Sequence, residues 1–331
     1  MVKAIGLISG GLDSLLSVKL ILDQGIEVTG IAFVSPFCRA ANAPRVAEKL
    51  GIPLIIRDFT IEQYEIVKHP PHGHGRNINP CIDCHALMLS VAGREMESMG
   101  ADFVFTGEVL GQRPFSQNRA SMDLIARLSG YNGYILRPMS AKLLKQTIPE
   151  SDGRVNRSRL LTVSGRSRQI QLEMAAKFGI DFFEPTAGGC KLTEPNFAWR
   201  VRETLADDPD FPVADIPILT VSRHFRLAPH VRLVVGKNEA ENDRIEQMAR
   251  PADLLLRVDG FPSATAWLPQ PCDEKALEIA CRIIARYSDA PAGAACNVHV
   301  SHPGGEPSVR SAVPFSPDES NAYLITIERQ E

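Results

Sequence analysis

Six residues near the start of the chain, Ser9-Gly10-Gly11-Leu12-Asp13-Ser14, join two adjacent glycines to two hydroxyls and a carboxylate. Adjacent glycines let backbone N–H groups turn toward one point, and a helix that follows adds the positive end of its dipole. This combination suits a phosphate-class anion, with Ser9 and Ser14 as hydroxyl donors and Asp13 beside a magnesium ion. The run is neither GxGxxG nor a loop ending in Gly-Lys-Ser/Thr. Thiol chemistry comes from Cys81-Ile82-Asp83-Cys84 and the distant Cys190. At a helix N-terminus a CxxC pair is favoured as thiolate, ready to bind metal or attack sulfur. Three thiolates can hold three corners of an iron–sulfur cluster and leave one iron open, whereas structural zinc takes a fourth protein ligand. His69, His72, His74 and His85 stand near enough in sequence to supply it. Cys38, Cys272 and Cys296 show no metal spacing, and Cys281 falls in a helical apolar pattern that fits core packing.

These groups need a scaffold. An apolar run over 4–9 predicts a strand, and Leu15, Leu16, Val18, Leu20, Ile21 and Leu22 have helical spacing over 13–24. Further strands are expected over 27–33, 53–56 and 103–106, and helices over 44–50, 85–99 and 169–178. Residues 69–80, rich in Pro, Gly, His and Asn, read as a loop. The alternation predicts an α/β fold with a doubly wound parallel sheet. The glycine loop then lies at the carboxyl edge of that sheet, where open α/β folds bind ligands. Gly107, Glu108 and the polar stretch 112–117 follow a strand and reach the same edge. Gly188, Gly189 and Cys190 sit in a loop after Pro185.

The Asp and Pro cluster at 207–212 reads as a linker, giving predicted domains 1–205 and 206–331. The second is expected to be a smaller α+β module with strands over 222–226 and 231–236 and a helix over 276–284. The 331 residues carry a net charge of −3, with 44% hydrophobic residues, so disordered and fibrous classes are excluded. The first domain carries 24 basic and 20 acidic residues and the second 12 and 19, so any nucleic-acid site must be local. Two local candidates exist. Residues 137–168 hold eight basic residues, from Arg137 to Arg168, against Glu150 and Asp152; Arg223, Arg226, Arg232 and Lys237 form a second group. Seven cysteines without an apolar leader or an 18-residue apolar run argue for a cytoplasmic chain with no membrane span and no disulfide scaffold.

Ser9 to Ser14 resembles the SGGxDS signature of the PP-loop ATP pyrophosphatases, which split ATP to AMP and pyrophosphate while adenylating a carbonyl oxygen. The resemblance implies an ATP site on Ser9, Gly10, Gly11, Asp13 and Ser14, with Mg2+, and with Ala32 and Phe33 near the base; Gly107 is expected at the same site. Asn79-Pro80-Cys81-Ile82-Asp83-Cys84 is similar to a segment of the tRNA 2-thiouridylases. That likeness implies Cys84 as nucleophile and Cys190 as persulfide carrier, with Cys81 as the departure. The CxxC pair with one distant cysteine is similar instead to iron–sulfur-dependent tRNA thiolases, implying Cys81, Cys84 and Cys190 as ligands of a 4Fe-4S cluster. Asp13, Cys84 and Cys190 are the catalytic residues expected on this basis. The implied partners are tRNA and a sulfur donor, either sulfide or a persulfide carrier. A zinc-containing synthetase that activates a carboxylate and an RNA-binding accessory protein are the competing readings. The resemblance covers about 1–200. The second domain faintly resembles RNA-binding modules of ribosome quality-control factors, so it is expected to hold tRNA or to pair two copies of the chain as a homodimer.

Overall fold

A computed structural model of the chain describes residues 1–38, 40–183 and 190–326. The chain forms two compact units, Met1–Pro195 and Asn196–Glu331. In the first, β1 (Lys3–Leu7), α1 (Leu12–Leu22), β2 (Glu27–Val34), α2 (Ala43–Leu50), β3 (Leu54–Asp58) and α3 (Thr60–Lys68) are followed by α4 (Cys81–Ser98), β4 (Phe103–Phe105), α5 (Arg119–Leu128) and β5 (Ile135–Leu136). A short α6 (Ile148–Ser151) and α7 (Gln169–Lys177) complete the unit. The strands are all parallel in the order β3-β2-β1-β4-β5, with Ile5 opposite Thr29 and Val104. This is the expected doubly wound sheet.

Alternation along the strands divides the core into two layers. Ala4, Val28, Ala32, Phe103 and Phe105 pack with Leu12, Leu15 and Leu16 of α1, while Ile5, Ile31, Phe33 and Val104 pack with Ile82 and Leu89 of α4 and Ile125 of α5. Neighbouring strand order reverses at β1, so the loops leaving β1 and β4 diverge there and open a crevice at the carboxyl edge. Every element expected in residues 1–110 is present and α3 is added there, with α5 following at 119–128.

The second unit opens with α8 (Pro195–Asp207), continues through β6 (Arg223–Ala228), β7 (Val231–Val235), α9 (Glu239–Met248), β8 (Leu254–Val258), β9 (Ala266–Leu268), α10 (Glu274–Arg286), β10 (Cys296–Ser301) and β11 (Ser308–Ala312), and closes with α11 (Pro317–Asn321). Its sheet is antiparallel, in the order β11-β10-β8-β9-β7-β6. The apolar face of α10, with Leu277, Ala280, Cys281, Ile283 and Ile284, packs on it.

Two expectations are corrected here. The division falls at 195/196, ten residues before the expected 205/206, because Glu203 and Asp207 of α8 form ion pairs with Arg226 and Arg232 of the second sheet. The same pairs dissolve the expected basic patch. Arg226 and Arg232 neutralise α8, and Arg223 donates to the Gly236 carbonyl at 2.9 Å with its guanidinium over the Tyr287 ring. Among the described residues, no helix is long and apolar enough to cross a membrane.

Candidate active site

The turn from β1 into α1 is built by its own side chains. Ser14 Oγ donates to the Gly11 carbonyl at 2.8 Å, and the Gly11 N–H donates to Ser9 Oγ at 3.4 Å. Gly10 has φ +82°, the left-handed region, and its carbonyl accepts from Asn42 Nδ2 at 3.1 Å. Across the crevice, a Cβ on Gly107 would lie 2.5 Å from the Ser14 nitrogen, so only glycine lets the end of β4 approach the first turn of α1 this closely. A cavity of about 450 Å³ opens between these two loops, large enough for a nucleotide-sized ligand. Ser9, Gly11, Asp13, Ser14, Phe33 and Gly107 line it. Gly10 and Ala32 do not. Gly10 turns away to hold Asn42, and Ala32 faces the opposite layer from Ile31 and Phe33 because strand side chains alternate.

Asp13 accepts from Gln112 Nε2 at 3.2 Å through Oδ2, while its buried Oδ1 has no partner. An orphaned carboxylate oxygen beside a phosphate-binding turn fits a magnesium ion. On the far wall Glu108 is buried between Arg137 Nε at 2.9 Å and His85 Nδ1 at 2.7 Å. Burial alone would raise its pKa, but Arg137 and His85 together hold the carboxyl well below the usual range.

The thiols line the same cavity: Cys81, Cys84, Cys190 and also Cys38, which sequence spacing gave no role. Cys38 lies four residues past the end of β2, at the carboxyl edge, and that position is the one sequence signal that could have found it. Gln63 of α3, fully buried, donates from Nε2 to Cys38 Sγ at 3.4 Å and to Cys84 Sγ at 3.6 Å. Asn79 Nδ2 donates to Cys81 Sγ at 3.1 Å. The Lys191 N–H donates to the Phe37 carbonyl at 2.9 Å, which brings the segments carrying Cys190 and Cys38 together. The neighbouring Cys190 draws the Cys38 thiol down to about 7, while Cys38 and burial hold the Cys190 thiol well up. Burial pushes the Cys84 thiol well up.

Cysteine donors suit an iron–sulfur cluster in kind, and Cys81, Cys84 and Cys190 line the same cavity. Cys81, Cys84 and Cys190 each face a different partner, and among the described residues no three His, Cys, Asp or Glu side chains form a metal-holding group. The histidines considered as a fourth zinc ligand are also engaged elsewhere. His72 pairs with Asp83 at 2.6 Å, His74 faces the Val67 carbonyl and His85 faces Glu108. Gly188 and Gly189 lie outside the described residues.

Much of the basic stretch expected to track phosphates is engaged by partners within the chain, although among its members Arg137 alone is buried. Arg137 is bound to Glu108, Arg154 to Asp102 and Asp152, Arg157 to Glu150, and Lys142 and Arg159 donate to the carbonyls of Ser158 and Asp23. Of the stretch, Arg166 and Arg168 line the cavity, where Arg113 joins them.

The family described as "Thiamine biosynthesis protein (ThiI)" matches residues 2–150. The matched residues lie within the first unit. Residues 222–324, within the second unit, match the family described as "NFACT protein RNA binding domain". A tRNA-specific 2-thiouridylase MnmA of Marinobacter nauticus is 28% identical over 157 residues, covering 42% of this chain and 40% of that protein. The MnmA of Psychromonas ingrahamii is 34% identical over 128 residues, covering 34% and 35%. The chain thus spans less than half the length of these two relatives. A solved 4-thiouridine synthetase–RNA complex with bound ATP is 21% identical, with a TM-score of 0.40 over 66% of this chain and 52% of that one. The cavity between the β1 and β4 loops lies in the first unit, since every residue lining it precedes 196.

Proposed function

We propose that the chain is an ATP-dependent tRNA sulfurtransferase, which adenylates a base carbonyl oxygen and replaces it with sulfur. One observation carries this reading: a phosphate-binding turn and four thiols line a single cavity. Adenylation converts a poor leaving group, oxide, into AMP, and the attacking sulfur must then reach the same carbon. Backbone N–H groups at the start of α1, with Ser9 and Ser14, would bind the phosphates, and Asp13 would hold Mg2+, which neutralises charge on the departing pyrophosphate. Phe33 and Ile31 would form the apolar wall against the adenine ring. Gln63 orients Cys38 and Cys84, and the His85–Glu108–Arg137 chain fixes the opposite wall.

In this reading Cys190 carries the sulfur as a persulfide, which its place on the cavity wall beside Cys38 favours. The CxxC pair at the start of α4, on the same cavity, favours a second version in which Cys81, Cys84 and Cys190 hold a 4Fe-4S cluster. Iron content after anaerobic reconstitution separates the two. The second unit is proposed to hold the tRNA, on the support of its match to an RNA-binding domain.

The test supplies purified protein with ATP, Mg2+, tRNA and a persulfide or sulfide donor, and follows AMP release and nucleoside mass. The proposal expects AMP and one thionucleoside to form together and only with tRNA present. AMP formation driven by a carboxylate substrate, with tRNA inert, would establish the synthetase alternative instead.

A further inference from the structure

We infer that His85 reads the base on which this site acts: its ring Nε2 accepts the hydrogen bond of a ring N–H that adjoins the carbonyl to be activated. The inference rests on the thiolation reading above and deepens it, because it selects a lactam base such as uracil and rejects cytosine.

Cys81, Cys84, His85, Met88 and Leu89 of α4 all line the cavity, which is the i, i+3, i+4, i+7, i+8 spacing of one side of a helix. The imidazole therefore stands beside the thiols, with two apolar side chains beyond it against which a flat base can lie. Its Nδ1 faces Glu108 Oε1 at 2.7 Å, and the other Glu108 oxygen accepts from Arg137 Nε at 2.9 Å and Thr106 Oγ1 at 3.2 Å. Glu108 and Arg137 are both buried, which fixes this side of the ring. A carboxylate only accepts, so Nδ1 carries the ring hydrogen and, in the uncharged imidazole, Nε2 carries a lone pair. Among the described residues Nε2 has no hydrogen-bond partner. The neighbouring groups are already engaged. Gln63 spends Oε1 on Ser35 Oγ and Nε2 on the Cys38 and Cys84 sulfurs, and Asn79 spends Nδ2 on Cys81 Sγ and Oδ1 on the Asn77 N–H. Of the side-chain nitrogens and oxygens that residues 63–108 bring to this cavity, Nε2 is the one left without a bond.

In a lactam the ring N–H and the carbonyl carbon are direct neighbours. An acceptor that holds the hydrogen thereby sets where that carbon lies relative to Cys84, next to it in the chain, and to Cys81, one turn back on α4. Uracil offers such an N–H between two carbonyls, and guanine offers one beside its single carbonyl. Cytosine has a carbonyl too, but the adjoining ring nitrogen bears no hydrogen, and its lone pair would meet the lone pair of Nε2. The site then loses a hydrogen bond and gains a repulsion, which is how a buried polar group turns a small difference between two bases into selection.

Binding of fluorescein-labelled pentauridylate and pentacytidylate to the full chain, with a non-hydrolysable ATP analogue present, tests the assignment. The wild type is expected to bind pentauridylate about tenfold more tightly. Two variants separate the ring nitrogens. His85→Asn keeps an N–H donor near the place of Nδ1 and has no atom at that of Nε2, while His85→Gln puts an amide oxygen there. The preference should vanish in His85→Asn and survive in His85→Gln. Equal binding of the two oligonucleotides by the wild type, a preference that His85→Asn keeps, or one that both variants lose would overturn the assignment. AMP formation with tRNA judges the thiolation reading separately. A preference governed by His85 in a wild type that forms no AMP with any tRNA would sink that reading and leave the base reader; AMP and thionucleoside formed without the preference would do the reverse.

Discussion

Asp13 concentrates the argument about the nucleotide in one side chain. Its Oδ2 is satisfied by Gln112, and its Oδ1 is buried without a partner, an arrangement that is unfavourable until a cation or ligand donor arrives. Asp13→Ala removes that unsatisfied atom together with the ion it would hold. Thermal stability should stay level or rise, while tRNA-dependent AMP formation falls by on the order of 10²-fold, the cost typical of losing one preorganised electrostatic group. Turnover close to wild type would show that the carboxylate has no part in the reaction. Glu108 is the opposite case, a buried carboxylate satisfied on both oxygens, and it stabilises the cavity wall without facing an empty position.

The crevice depends on how closely two loops approach. At Gly107 a methyl group would meet the backbone of Ser14 at 2.5 Å, where no side chain can swing aside. Gly107→Ala should cost about 1–3 kcal/mol of stability through overpacking and weaken ATP binding by roughly tenfold or more as the turn into α1 is displaced; urea unfolding and nucleotide titration measure the two effects. Binding and stability both unchanged would mean that the two loops are not held together as described. Such approaches explain what the sequence made legible. The strand, glycine loop and helix at residues 3–22 could be read because their signals are local: an apolar run, adjacent glycines, then apolar spacing of 3 and 4. The CxxC pair could be read for the same reason. Cys38 could not, since its partner lies some 150 residues away and meets it only after β2 and the segment past α7 reach one edge. The basic stretch from Arg137 misled for the converse reason. Its partners Asp102, Glu108 and Asp23 come from distant elements, and ion pairs with the first two and a bond to the Asp23 carbonyl occupy side chains that read as a phosphate track.

The two units differ in what they ask of pH and charge. In the second, His224 is fully buried, donates from Nε2 to the Val221 carbonyl at 2.9 Å, and presents Nδ1 to Arg232. Burial first, and then the neighbouring Arg232 and Arg200, hold its pKa well below the ordinary 6.5. The unfolded chain therefore takes up this proton before the folded one does. The stability that a neutral His224 allows is fully present above about pH 6.5 and is lost as pH falls below it, by up to about 1.4 kcal/mol per pH unit. Urea unfolding between pH 7.5 and 5.5 should show this slope in the wild type and a smaller one in His224→Gln; equal slopes would mean that the imidazole is protonated in the fold. Across the chain, the net charge of −3 gives no general attraction to RNA. Under the proposed function, recognition would rest on the second unit and on the arginines that line the cavity.

The claim that the phosphate turn and the thiols act on one carbon atom predicts where an oxygen goes. With tRNA labelled by 18O at the base carbonyl, each thionucleoside formed should leave its labelled oxygen in the phosphate of one AMP. Thiolated tRNA accompanied by unlabelled AMP would contradict the account, because ATP would then have been split without activating the oxygen that sulfur replaces.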